Sequence, residues 1–169
     1  MSTRKFAFLD KRKLDEFLPN LFEILYSNMS LIAPTGNSYD EDLEVWCSYM
    51  VPDMEREQRQ VVLMYVDNIL AGFFRYNIDS EKDSLMMEEI QIKKEFQGTG
   101  LFSAFYKWLV QQIPQDILHV EAYANKKNDK SQAVLKHLGL VQLGENKNGL
   151  SFYYKGKYVD LFCRYSCCE

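Results

Sequence analysis

The sequence predicts a single α/β domain of the α+β kind, and three observations carry that reading. Two amphipathic helices precede the first long strand. A hairpin signal surrounds Asp67-Asn68. A strand, glycine turn, helix and strand then follow one another between residues 85 and 124. With 169 residues, 47% of them apolar, the chain supports one core and leaves little material for a second, so residues 1–169 are read as one domain.

Each element has its own signal. A short apolar segment, Phe6 to Leu9, leads to Asp10, after which Leu14, Phe17, Leu18, Leu21, Phe22 and Leu25 recur at helical spacing, with Pro19 as a potential kink. Turn formers fill residues 32–38, and Asp40 to Met50 reads as a second helix ending before Pro52. Val61 to Val66 and Ile69 to Tyr76 flank Asp67-Asn68 as the arms of a hairpin. After a polar turn from Asp79 to Asp83, Leu85 to Ile92 ends in strand alternation. Leu101 to Ile113 reads as a helix stopped by Pro114, and Ile117 to Ala124 as a strand. Ser131 to Leu138 forms a short helix closed by Gly139, and the tail segments Leu140 to Leu143 and Phe152 to Tyr165 have aromatic, β-rich composition.

Composition narrows the function. A formal net charge of -4 disfavours a nucleic-acid partner held by a basic surface. No apolar run approaches the roughly 20 residues needed to span a bilayer, so no membrane partner is expected and a cytoplasmic location is the default. Cys47, Cys163, Cys167 and Cys168 lack the paired spacing of a zinc site; no metal is expected, and the adjacent terminal pair receives no role.

The segment that carries chemistry is Gln97-Gly98-Thr99-Gly100-Leu101, between a strand and a helix. Amides at a helix start have no internal partners and sit at the positive end of its dipole, so they suit a diphosphate, and the glycines let the backbone come close. The turn alone is weak evidence, because glycine turns between strand and helix are common.

Ile90-Gln91-Ile92-Lys93-Lys94-Glu95-Phe96-Gln97-Gly98-Thr99-Gly100-Leu101 resembles the coenzyme A motif of the GNAT superfamily of N-acetyltransferases: a strand, then Q/R-x-x-G-x-G/A, then a helix. A second segment, Asn128 to Leu140, resembles that family's later N-x-x-A/S helix, and the order of elements matches over essentially the whole chain. The resemblance implies a central mixed, mostly antiparallel sheet with helices on both faces, and a splayed strand pair holding acyl-CoA. It implies that main-chain groups from Ile90, Gln91 and Ile92 to Lys94 pair with the pantetheine arm. The backbone of Gly98, Thr99, Gly100, Leu101 and Phe102, with Ser103 following, would hold the diphosphate, and Asn128 would line the pantetheine channel. Ser131 is open to two roles, ligand contact or capping its own helix. Lys130 and Lys136 are weaker candidates for nucleotide phosphates, since charged helix faces are usually solvated.

Two positions depart from the family pattern. Phe102 stands where a second small residue is usual, and Leu135 stands where a tyrosine general acid often sits, so that role does not carry over. The pattern Asn128, Ser131, Leu135 is similar to a subset of the family in which leucine is familiar. The implied reaction is direct attack of a primary amine of a small molecule or peptide on acetyl-CoA, and the amine must first lose a proton. Glu89 is the leading base or amine ligand, ahead of Glu88, with a solvated or ion-paired strand carboxylate as the alternative. Tyr123, near the end of its strand, is the candidate general acid, with core or acceptor-pocket packing as the alternative. His119 and His137 are left outside the mechanism, and no arrangement favours a covalent intermediate. A GNAT-like module that binds acyl-CoA with little chemistry is the rival reading. The acceptor would be selected by residues 22–51 and the tail strands, with Tyr26, Tyr39, Trp46 and Tyr49 as possible lining. The resemblance also admits a homodimer.

Overall fold

The computed structural model describes residues 2–56 and 59–166. Cys167 and Cys168 lie outside the described residues. Among the described residues hydrogen bonding links seven strands in the order β1-β2-β3-β4-β5-β7-β6, where β1 is Arg4–Phe8, β2 Arg59–Val66, β3 Ile69–Asp79, β4 Ser84–Ile92, β5 His119–Asn125, β6 Val141–Glu145 and β7 Ser151–Lys157. The sheet is mostly antiparallel, with β4 and β5 parallel. Among the described residues five α-helices complete the fold: α1 Leu14–Met29, α2 Tyr39–Glu55, α3 Leu101–Leu109, α4 Asp129–His137 and α5 Tyr158–Ser166. The chain gathers into two compact units, Met1–Arg75 with Glu89–Leu101, and Tyr76–Glu88 with Phe102–Glu169.

In the first unit the hairpin turn is made by Asp67 and Asn68, both at positive φ (48° and 66°), the backbone that a two-residue turn between twisted strands requires. β1 lies antiparallel on β2, from Arg4 opposite Val66 to Phe8 opposite Val62. The main core cluster joins Leu18, Leu21, Phe22 and Ile24 of α1 and Trp46, Met50 and Met54 of α2 to Val61, Leu63 and Phe73 of the sheet. A second cluster, of Val66, Ala71 and Leu101 with Phe6, Ile92 and Phe96 against it, buries the rest of the hairpin and the start of α3. This is why β2 is buried at both alternating sets of positions, from Val61 to Met64.

The second unit is built on β5 and β7, antiparallel from His119 opposite Lys157 to Asn125 opposite Ser151. Tyr106 of α3 is fully buried, stacks on Tyr165 of α5 with centroids 5.3 Å apart, and donates its hydroxyl to Met87 Sδ at 3.4 Å.

Four boundaries differ from the sequence reading. α2 continues through Pro52 to Glu55: Ser38 and Glu41 form a full capping box, and Met54 extends the buried row of Trp46 and Met50 past the proline, whose ring is exposed. α3 ends at Leu109, and Val110 to Ile113 are tied back as turns. The tail from Tyr158 is helix rather than strand: Tyr158, Leu161 and Tyr165 fall on one buried face, and that spacing overrides the β preference of aromatic residues. α4 begins at Asp129, because Asn128 rather than Ser131 is its cap.

Candidate active site

In the first unit the site is built around the end of β4. At Gly72 of β3 the neighbouring strand comes so close that a Cβ there would collide with the Gln91 carbonyl oxygen, so the close approach of β4 at Gln91 and Ile92 depends on that glycine. Lys93 then donates its amide to Ala71 O at 2.8 Å. The Ile92 carbonyl accepts twice, from Gln97 Nε2 at 2.8 Å and Asn28 Nδ2 at 3.0 Å; the same Asn28 nitrogen lies 2.9 Å from Gln91 Oε1. Both lone pairs of that carbonyl are engaged within the protein, which leaves any strand-like ligand to pair with other main-chain groups.

The glycine turn follows. Gly98 and Gly100 have φ of 74° and 80°, Thr99 Oγ1 donates to Phe96 O at 2.7 Å, and Arg4 Nη2 donates to Thr99 O at 2.7 Å. Side chains thus fasten the loop from behind, while nothing lies within 4 Å of the space a Cβ on Gly98 would take. Among the described residues the amides of Gly98, Thr99 and Gly100 donate to no backbone carbonyl outside the regular elements. Successive amides at a helix start that donate to no such carbonyl, with open space beside Gly98, fit a diphosphate.

Glu89 also belongs to the first unit. Its side chain is 10% exposed; Oε2 lies 3.9 Å from Arg75 Nε, and Oε1 accepts from Gln91 Nε2 at 3.4 Å. Arg75 reaches on to Asp53 Oδ2 at 3.4 Å, and Asp53 pairs with Arg59. Glu89 is therefore an ion-paired strand carboxylate. Tyr26, Tyr39 and Trp46 pack with Phe22 at centroid distances of 5.1 to 5.8 Å, and Tyr26 meets Tyr39 at 4.9 Å, so these aromatics build the interface of α1 and α2; Tyr49 is exposed.

The second unit holds the remaining candidates. β4 pairs with β5 from Ser84 opposite His119 to Met87 opposite Ala122. Tyr123 is 48% exposed, its ring 5.2 Å from that of Tyr153. Two residues earlier, Glu121 is buried: Oε1 accepts from Ser84 Oγ at 2.8 Å and faces Lys155 Nζ at 3.3 Å, and Oε2 accepts from Tyr153 Oη at 2.8 Å. Burial pushes this carboxyl up, but the hydrogen bonds from Tyr153, Ser84 and Lys155 outweigh it and hold the group below its ordinary value. Burial and the bond to Glu121 push the Tyr153 phenol up.

Phe102 tilts onto Tyr106 with centroids 4.6 Å apart, and so spends its side chain on packing. Ser103 is exposed on α3. Asn128 Oδ1 accepts the Ser131 amide at 3.0 Å; Leu135 is buried. Lys136 and His137 are exposed, and His119 is half-buried. Residues that the sequence reading passed over are Arg4, Asn28, Asp53, Gly72 and Arg75. Gly72 alone had a signal, a lone glycine inside a strand pattern. Among the described residues no group of three or more His, Cys, Asp or Glu side chains is placed to hold a metal ion, and no helix is long and apolar enough to cross a membrane.

No known protein-family model matches the sequence, and no curated protein matches it. Solved structures do match its fold. A PaiA N-acetyltransferase from Thermoplasma acidophilum in complex with coenzyme A aligns with TM-score 0.65 and 16% identity over 92% of this chain and 99% of that one. A GNAT-family protein from Desulfovibrio desulfuricans aligns with TM-score 0.68 and 14% identity over 92% and 99%. A spermidine N-acetyltransferase, SpeG, from Vibrio cholerae aligns with TM-score 0.64 and 13% identity over 95% and 97%.

Proposed function

We propose that this chain, which has the fold of the GNAT acetyltransferases, acts over residues 1–169 as one acyl-CoA-dependent N-acetyltransferase domain, moving an acetyl group from acetyl-CoA to a primary amine of a small molecule or peptide. The observation that carries the reading is the glycine turn, with its glycines at positive φ and its side chains fastened behind it, at the motif position of this fold. The coenzyme A bound to the Thermoplasma structure supports the same cosubstrate here, and the spermidine enzyme supports a small amine as acceptor class.

Bound acetyl-CoA would supply an acetyl thioester; the protein supplies position and proton transfer. The amides from Gly98 to Phe102, with Ser103 following, hold the diphosphate. Main-chain groups of Ile90 and Gln91 pair with the pantetheine, Gln97 and Asn28 hold the Ile92 carbonyl that shapes the strand end, and Asn128 and Ser131 order the start of α4. Glu89 receives the amine proton, directly or through water, with Arg75 and Gln91 fixing its carboxylate. Tyr123 is exposed enough to donate a proton to the departing thiolate.

Free-thiol release from acetyl-CoA is measured across a panel of amines that includes spermidine, beside calorimetric titration with coenzyme A. Turnover above the buffer rate with any acceptor, lost in Glu89→Gln, supports the enzyme. A second reading, an acyl-CoA-binding module with little chemistry, is favoured by the buried Leu135, which has no proton to give; tight binding without turnover on the whole panel selects it. Neither binding nor turnover removes both.

A further inference from the structure

The diphosphate of coenzyme A is anionic, yet the turn proposed to hold it contains no cation: residues 95–103 are Glu, Phe, Gln, Gly, Thr, Gly, Leu, Phe and Ser. Gln97 is neutral and spends an amide proton on the Ile92 carbonyl. The positive charge at the turn arrives from the opposite end of the first unit's sequence. Arg4 opens β1, where it lies opposite Val66, and the chain before it is anchored to the hairpin turn: Thr3 donates to Asp67 Oδ1 at 2.7 Å and Asp67 donates to Thr3 O at 2.9 Å. From that fixed point Arg4 Nη2 donates to Thr99 O at 2.7 Å, and the same nitrogen lies 3.4 Å from where a Cβ on Gly100 would stand. The ion pairs of the described residues give Arg4 no carboxylate partner. An uncompensated guanidinium is thus bonded to the one peptide that joins the middle of the turn to its second glycine.

We propose that Arg4 supplies the positive charge of the diphosphate site. It is a positioning residue: its bond fixes the Thr99 to Gly100 peptide, draws electron density toward the carbonyl so that the Gly100 amide becomes a stronger donor, and sets a full charge behind the peptide whose amide faces the anion. The inference rests on the acyl-CoA reading of the turn and adds a residue to that site.

The test is calorimetric titration of coenzyme A and of 3′-dephospho-coenzyme A into the wild type, Arg4→Met and Arg4→Lys, at low and high salt. Arg4→Met is expected to weaken coenzyme A about tenfold at low salt, with the gap narrowing as salt screens the charge. Arg4→Lys is expected to recover most of the loss, and the 3′-dephospho ligand to suffer the same loss as coenzyme A. Wild-type affinity in Arg4→Met overturns the proposal. So does a loss equal at both salt concentrations, which reports a merely structural bond, and so does a loss that vanishes with the 3′-dephospho ligand, which moves the charge to another phosphate. If the wild type itself has no affinity for coenzyme A, the acyl-CoA reading fails and takes this proposal with it.

Discussion

The two segments that carry the coenzyme A resemblance, Gln97 to Leu101 and Asn128 to Leu140, have opposite constructions. In the first, side chains turn inward to hold the backbone, Gln97 on Ile92 and Thr99 on Phe96, so the main chain itself is left as the ligand surface. In the second, the polar groups serve the helix. Asn128 caps it, Gln132 Nε2 donates to the carbonyls of Asn125 and Lys126 at 3.3 and 3.0 Å, and Leu135, Leu138 and Leu140 are buried. One segment presents a backbone and the other anchors a core, so damage to them should separate into lost binding and lost stability.

The largest effect is expected in the anchoring segment. Leu135→Ala removes a buried side chain and should cost about 3 kcal/mol in denaturant unfolding, while the folded variant keeps its coenzyme A affinity. In the same unit, Glu121→Gln loses charge-assisted bonds and should cost about 2 kcal/mol at neutral pH. Because the folded Glu121 carboxyl titrates below its ordinary 4.5, its stabilisation is fully present above that value and is lost as pH falls through the lower, folded one. The gap between wild type and Glu121→Gln should therefore close in acid, which a series of unfolding curves from neutral pH to below 4.5 can check. Gly100→Ala places a side chain at φ 80°. It should weaken coenzyme A about tenfold in calorimetry, with a stability loss of only about 1 kcal/mol. The smallest effect, about 1 kcal/mol of stability, is expected for Asn128→Ala as a lost cap. If that variant instead loses coenzyme A affinity at full stability, the contrast between the two segments breaks.

Much of the fold was legible in the sequence because its signals are local. The Asp67-Asn68 hairpin, the α1 face and the strand, glycine turn, helix unit follow from side-chain period and turn chemistry over a few residues. The errors arose where distant packing outvoted local preference. Met54, seated in the core, carries α2 through Pro52, and the buried row of Tyr158, Leu161 and Tyr165 makes a helix from aromatic residues that read as strand. The candidate site was legible as a backbone motif and much less so as side-chain chemistry. Glu89 was singled out, but not its ion pair to Arg75 or the link from Arg75 to Asp53, since these partners come from a different strand and from a helix.

The sequence by itself determined the glycine turn and its place between strand and helix, because positive φ at Gly98 and Gly100 and the helix start after them are properties of neighbouring residues. Only the tertiary structure decided what stands around it. Asn28 on the Ile92 carbonyl, Gly72 against the Gln91 carbonyl, and Arg4 on the Thr99 carbonyl lie 64, 19 and 95 residues away from the groups they meet. No local pattern encodes such pairings; they exist only once strand register and helix packing have brought those segments together.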